Sequence, residues 1–127
     1  MLYRCLKEYI REYSTIVEIR HIFGCLFDDN GPVPIQEEIK LFTDMVKNIQ
    51  SFTPLFQIRI ISIGLKIVGR NQIKEQIELC YQAREICPWV VGFDLVCEED
   101  HNPGIDSFLD ILLEYKAKFK ARWGEDF

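Results

Sequence analysis

"FQIRIISIGL", residues 56 to 65, is the stretch that decides the fold. The run is almost continuously apolar, as is typical of a strand that is covered on both faces. Such strands occur mainly in parallel sheets, whose connecting helices pack against the sheet. The stretch therefore predicts a parallel α/β protein.

The segments around this strand alternate between strand and helix patterns. "TIVEIR" (15 to 20) and "WVVGFDLV" (89 to 96) predict two more strands, and "FDDNGPVP" (27 to 34) predicts a connecting turn. We expect Asn71 to cap the third of four helices. The helical stripes are Leu2, Leu6, Tyr9, Ile10 and Tyr13; Ile35, Ile39, Phe42, Val46 and Ile49; Ile73, Ile77, Cys80 and Ile86; and Ile105, Phe108, Leu112, Tyr115 and Phe119.

The order α-β-α-β-α-β-α predicts right-handed βαβ units and a parallel sheet. Three strands form either a small open sheet or an arc of a larger one. A (β/α)8 barrel needs about 250 residues, so a chain of 127 residues would then be a partial TIM-type barrel domain spanning residues 1–127.

Composition limits the function classes. A hydrophobic share of 48% and a charged share of 28% indicate an ordinary globular chain, and the net charge of -5 argues against nucleic-acid and anionic-membrane partners. Neither a signal peptide pattern nor an apolar run of about 18 residues occurs. The compartment stays open. The five cysteines form no C-x-x-C pair, and most are expected to be buried or half-buried.

Charged residues interrupt all three predicted strands. Strand alternation places Glu18 and Arg20 on one face of the first strand, Arg59 with Ile61 and Ile63 on one face of the second, and Asp94 with Gly92 and Val96 on one face of the third. A buried carboxylate must be paired, protonated or close to solvent. Two interpretations stay open: an arginine neutralises a carboxylate, or these residues surround a ligand site at the carboxyl ends of the strands.

"CEEDH" (97 to 101) follows the third strand. Its side chains offer metal-binding atoms, but the spacing matches no zinc pattern. Acidic residues also favour the N-terminus of a following helix, and we prefer that interpretation. His21 follows the first strand, and a lone histidine of this kind is more often structural.

Three of these segments together resemble the adenosine deaminase family. "VVGFDLVCEED" (90 to 100) is similar to its fourth-strand signature, "IVEIR" (16 to 20) to the second strand of its growth-factor-type, often secreted branch, and "IRIISIGLK" (58 to 66) to the third strand. The resemblance covers roughly residues 12 to 120.

The resemblance implies a zinc-dependent (β/α)8 barrel that hydrolyses adenosine to inosine and ammonia. Zinc activates a water for attack on the purine, and a glutamate protonates the ring. The family's histidine ligands and its His-Ala-Gly-Glu motif fall outside the matching segments, so no cofactor and no deaminase activity are expected of this chain alone.

The resemblance also assigns substrate-facing residues. Glu18 matches a glutamate near the ribose, and Asp94 matches an aspartate that orients the pocket. Cys97 stands where the family has a glycine close to the purine, and Ile39 stands where the branch has a tryptophan.

Three hypotheses follow: a partial adenosine deaminase-like chain, a shortened inactive paralogue that acts as a binding module, and an unrelated open-sheet α/β binding domain. The barrel-arc hypothesis also predicts self-association or marginal stability, because two sheet edges and one face would lie uncovered.

Overall fold

Three parallel strands and four helices make up most of the computed structural model, which describes residues 1–97 and 102–124. The predicted α/β class and alternation are confirmed. The elements are α1 (Leu2–Arg11), β1 (Ile16–His21), β2 (Phe27–Asp28), β3 (Gly31–Pro32), α2 (Ile35–Gln50), β4 (Gln57–Leu65), α3 (Arg70–Ile86), β5 (Val90–Val96) and α4 (Leu109–Trp123), with short 3-10 helices at Lys66–Val68 and Ile105–Phe108.

The parallel strands lie in the sheet in the order in which they occur in the chain, β1-β4-β5. Glu18 lies opposite Arg59, and Ile63 lies opposite Asp94. Both crossovers therefore step in the same direction across the sheet. Because parallel crossovers share one hand, α2 and α3 are brought to the same face.

This covered face carries the core. Ile58 and Ile60 of β4 are buried there beneath Phe42 and Val46 of α2. Gly64 continues the same row, where a Cβ would lie only 2.7 Å from the ring of Phe93, so a larger residue there would require the neighbouring side chains to shift. The other helices add the buried side chains Leu6, Ile77, Cys80, Ala83, Ile111, Tyr115 and Phe119.

The opposite face of the sheet belongs to neither apolar cluster of the described residues. It carries Ile61 and Ile63, which are half-buried, between charged side chains of the two outer strands. The expectation that β4 is covered on both faces is thus met on one face only within residues 1–97 and 102–124. We call this the uncovered face.

Several local predictions were wrong. Helix α1 ends at Arg11, and Tyr13 is exposed with a φ of 64°, so it is not a core position. Asn71 lies inside α3, which begins after Gly69 without a side-chain cap. Ile86 and Ile105 are exposed. The predicted turn at 27 to 34 contains the short hairpin β2-β3.

Two phenylalanines near the start of β4 provide a test of the core. Phe56 is 0% exposed and packs with Leu6 and Ile49, whereas Phe52 is 54% exposed. We expect Phe56→Ala to lower the free energy of unfolding by about 3 to 5 kcal/mol, because it leaves a cavity. Phe52→Ala, the matched control, should cost less than about 1 kcal/mol in the same urea titration. Equal losses would contradict this assignment of the core.

Candidate functional site

Asp94 and Arg20 form an ion pair on the uncovered face. Nη2 of Arg20 lies 3.3 Å from Oδ2 of Asp94, although the two residues belong to the outer strands β5 and β1. The arginine therefore reaches across β4. Both side chains are substantially exposed, so the pair adds little to stability. It places the Asp94 carboxylate beside the guanidinium of Arg20.

Glu18 lies on the same face in the middle of β1. It is exposed, and it makes no hydrogen bond or ion pair with any residue of the described ranges, including Arg59 opposite it. Both carboxylate oxygens are therefore available to hydroxyl donors.

The structure separates Glu18 from Asp94. Their partners on β4, Arg59 and Ile63, are four residues apart, which corresponds to about 13 Å along the strand direction. Asp94 lies towards the carboxyl end of the sheet. The predicted residues thus share a face without forming one cluster.

Cys97 directly follows β5 and has a φ of 133°. Side chains with a Cβ rarely adopt this conformation, whereas glycine adopts it readily. Its main chain therefore takes a conformation suited to glycine, the residue that the resemblance implies at this position.

The described part of the chain offers no zinc site. Residues 98 to 101, which are Glu98, Glu99, Asp100 and His101, lie outside the described residues. Among residues 1–97 and 102–124, no group of three His, Cys, Asp or Glu side chains could hold a metal ion. None of these described residues is therefore assigned to the zinc that the resemblance implies, whose ligands fall outside the matching segments.

His21 does not face the ion pair, because strand alternation turns it to the covered face. There its Nε2 bonds Oε1 of Glu38, a carboxylate that is 0% exposed, and the Gly24 N–H donates to Oε2 at 3.0 Å. Phe23 and Phe42 contact the imidazole edge to face, with ring centroids 5.0 and 4.9 Å away. The interpretation of His21 as a structural residue agrees with this packing.

The sequence patterns did not predict two buried charged residues, Glu38 and Lys66. Glu38 lies between Ile35 and Phe42 on the apolar stripe of α2, and this position could have indicated its burial. Lys66 directly follows β4 and is 3% exposed. It lines a cavity of about 160 Å³ at the carboxyl ends of β4 and β5, together with Asp94, Phe93, Leu95, Ile105 and Leu112. Ile39, in turn, is buried in the core and does not reach the uncovered face.

The buried cysteines do not supply a nucleophile. Burial raises the pKa of the Cys80 thiol to about 12 and also raises that of Cys87. Both are therefore protonated near neutral pH, and a thiol reacts through its thiolate. Cys5 and Cys25 are exposed and Cys97 is half-buried, so the expectation that most cysteines are buried or half-buried holds for three of five.

Comparison with known proteins identifies no relative, since no family model matches the chain and no curated protein is significantly similar to it. In residues 1–97 and 102–124, every helix is too short or too polar to cross a bilayer.

The backbone at Cys97 gives a prediction about strain. We expect Cys97→Gly to raise the free energy of unfolding by about 1 kcal/mol, because glycine adopts a φ of 133° without strain. Cys97→Ala removes the same thiol but keeps the Cβ, so it should show no such gain. Chemical denaturation of both variants and the parent chain measures the difference, and equal stabilities of the two variants would contradict the assignment of strain to the backbone.

Proposed function

We propose that this chain is the substrate-binding arc of an adenosine deaminase-type barrel, corresponding to its strands two to four. In this proposal the uncovered face of the sheet is the inner wall of the barrel, and a purine nucleoside such as adenosine lies against it. The chain itself binds and orients the nucleoside, while the hydrolysis requires residues beyond the matching segments.

The arrangement of the sheet supports this proposal. A doubly wound sheet carries helices on both faces, because its strand order reverses at a switch point. Here the order β1-β4-β5 follows the chain without a reversal, and the helices of the described residues pack on one face. A (β/α)8 barrel is wound in this way.

The single observation that supports a binding role most strongly is that the Glu18 carboxylate is exposed and unpaired within the described residues. It lies on the uncovered face. A ribose presents two neighbouring hydroxyl donors, and a carboxylate has two oxygens that accept them. Asp94 is held by Arg20 nearer the carboxyl ends of the strands, where barrel proteins bind their ligands.

Adenosine and 2′,3′-dideoxyadenosine test this role, because they differ only in the ribose hydroxyls. We expect the chain to bind adenosine at least about tenfold more tightly, since hydrogen bonds to a charged group contribute about 1.5 to 3 kcal/mol. Glu18→Gln should abolish most of this difference. Affinities are measured by NMR titration, with backbone amide signals of β1, β4 and β5 as reporters.

Glu75→Gln is the matched control, because Glu75 is an exposed glutamate of α3. It should leave the preference for adenosine unchanged. Equal affinities for the two nucleosides in the parent chain would contradict the proposal. Release of ammonia from adenosine by the purified, zinc-supplemented chain would contradict the separate expectation that residues 1–127 alone are inactive.

Self-association provides an independent test of the uncovered face. We propose that isolated chains associate through it, since Ile61 and Ile63 lie there without a covering layer in the described residues. Ile63→Lys should shift sedimentation velocity profiles towards the monomer. Ile67→Lys, which alters an isoleucine that is exposed beyond the end of β4, should not. Monomeric behaviour of the parent chain at about 100 μM would contradict the proposal.

A further inference from the structure

The His21 and Glu38 pair lies at the wall of a second cavity, separate from the uncovered face. This cavity has a volume of about 540 Å³, within the range of small-molecule sites. Its remaining walls are mainly apolar and come from α1, α2 and the segment after β1; they include Leu2, Leu26, Leu41, Phe42 and Met45.

Glu38 can hold His21 in one imidazole tautomer. Oε2 accepts the Gly24 N–H, and Oε1 contacts Nε2 of His21. When Glu38 is ionised its oxygens only accept, so the proton between the two side chains lies on Nε2. In the neutral imidazole, Nδ1 is left with a lone pair that can accept a hydrogen bond.

Nδ1 of His21 is accessible and has no partner within the described residues. Among the described residues, His21 makes no hydrogen bond other than the one to Glu38, and no buried side-chain nitrogen or oxygen is left without a partner. Nδ1 is therefore not buried, in agreement with the 20% exposure of the side chain. The cavity that His21 lines is the apolar space next to the ring.

We propose that this cavity binds a small apolar molecule that carries one hydroxyl group, of the alkylphenol class, and that the hydroxyl donates to Nδ1 of His21. The apolar walls accommodate the hydrocarbon, and the imidazole supplies a single acceptor. An anionic ligand is disfavoured, because the carboxylate of Glu38 lies directly behind the imidazole and carries the same charge.

Three probes that differ in one group test the proposal: 4-propylphenol, 4-propylanisole and 4-propylbenzoate. We expect the phenol to bind about fivefold more tightly than the ether, the factor that one hydrogen bond of about 1 kcal/mol provides. The benzoate should bind more weakly than either. The ¹⁵N signal of Nδ1 should shift with the phenol and not with the ether, which a purely structural histidine would not do.

A pair of leucines locates the site. Leu41 lines the cavity and is 60% exposed, whereas Leu113 of α4 is 56% exposed and lies outside it. Both side chains are largely exposed, so we expect both variants to fold. Leu41→Asp should weaken phenol binding at least about tenfold, and Leu113→Asp should leave it unchanged. Equal affinities for the phenol and the ether, or equal effects of the two substitutions, would overturn the proposal whatever the nucleoside experiment shows.

Discussion

The common hand of parallel crossovers is the constraint on which the arrangement of this protein depends. Because β1, β4 and β5 follow one another across the sheet, each crossover places its helix on the same face. Alternate residues of one strand then meet different surroundings. Ile60 of β4 enters a packed core, and its neighbour Ile61 lies on the uncovered face.

The two faces stabilise their charges by different means. On the covered side Glu38 is fully buried, and both of its oxygens are hydrogen-bonded: Oε2 accepts from the Gly24 N–H, and Oε1 is paired with Nε2 of His21. An unpaired carboxylate there would cost several kcal/mol. On the uncovered side Arg20 and Asp94 keep much of their contact with solvent, so the desolvation cost of each charge is small. The buried pair also ties the start of α2 to the end of β1, which fixes how that helix lies on the sheet.

The sequence alone predicts the elements that depend on periodicity. The strands, the parallel class and the residues that share a face follow from alternation and from the single helices between the strands. What it misses depends on tertiary contacts. A glutamate at position 38 among apolar neighbours shows that something must compensate it, but only the folded chain brings His21 and the Gly24 N–H to it. Asn71 is of a residue type that often caps helices, yet α3 begins one residue earlier, at Arg70, and the Asn71 side chain does not cap it.

The site is less predictable than the fold for a related reason. Alternation places Glu18 and Asp94 on one face, but their separation depends on the register of three strands, which no local pattern contains. The backbone at Cys97 could not be predicted either. Val96 is still paired with Leu65, and the next residue has a φ of 133°, which its own side chain disfavours. A glycine at this position would adopt the same φ without strain, and it would leave free the space that the Cβ and thiol of cysteine occupy.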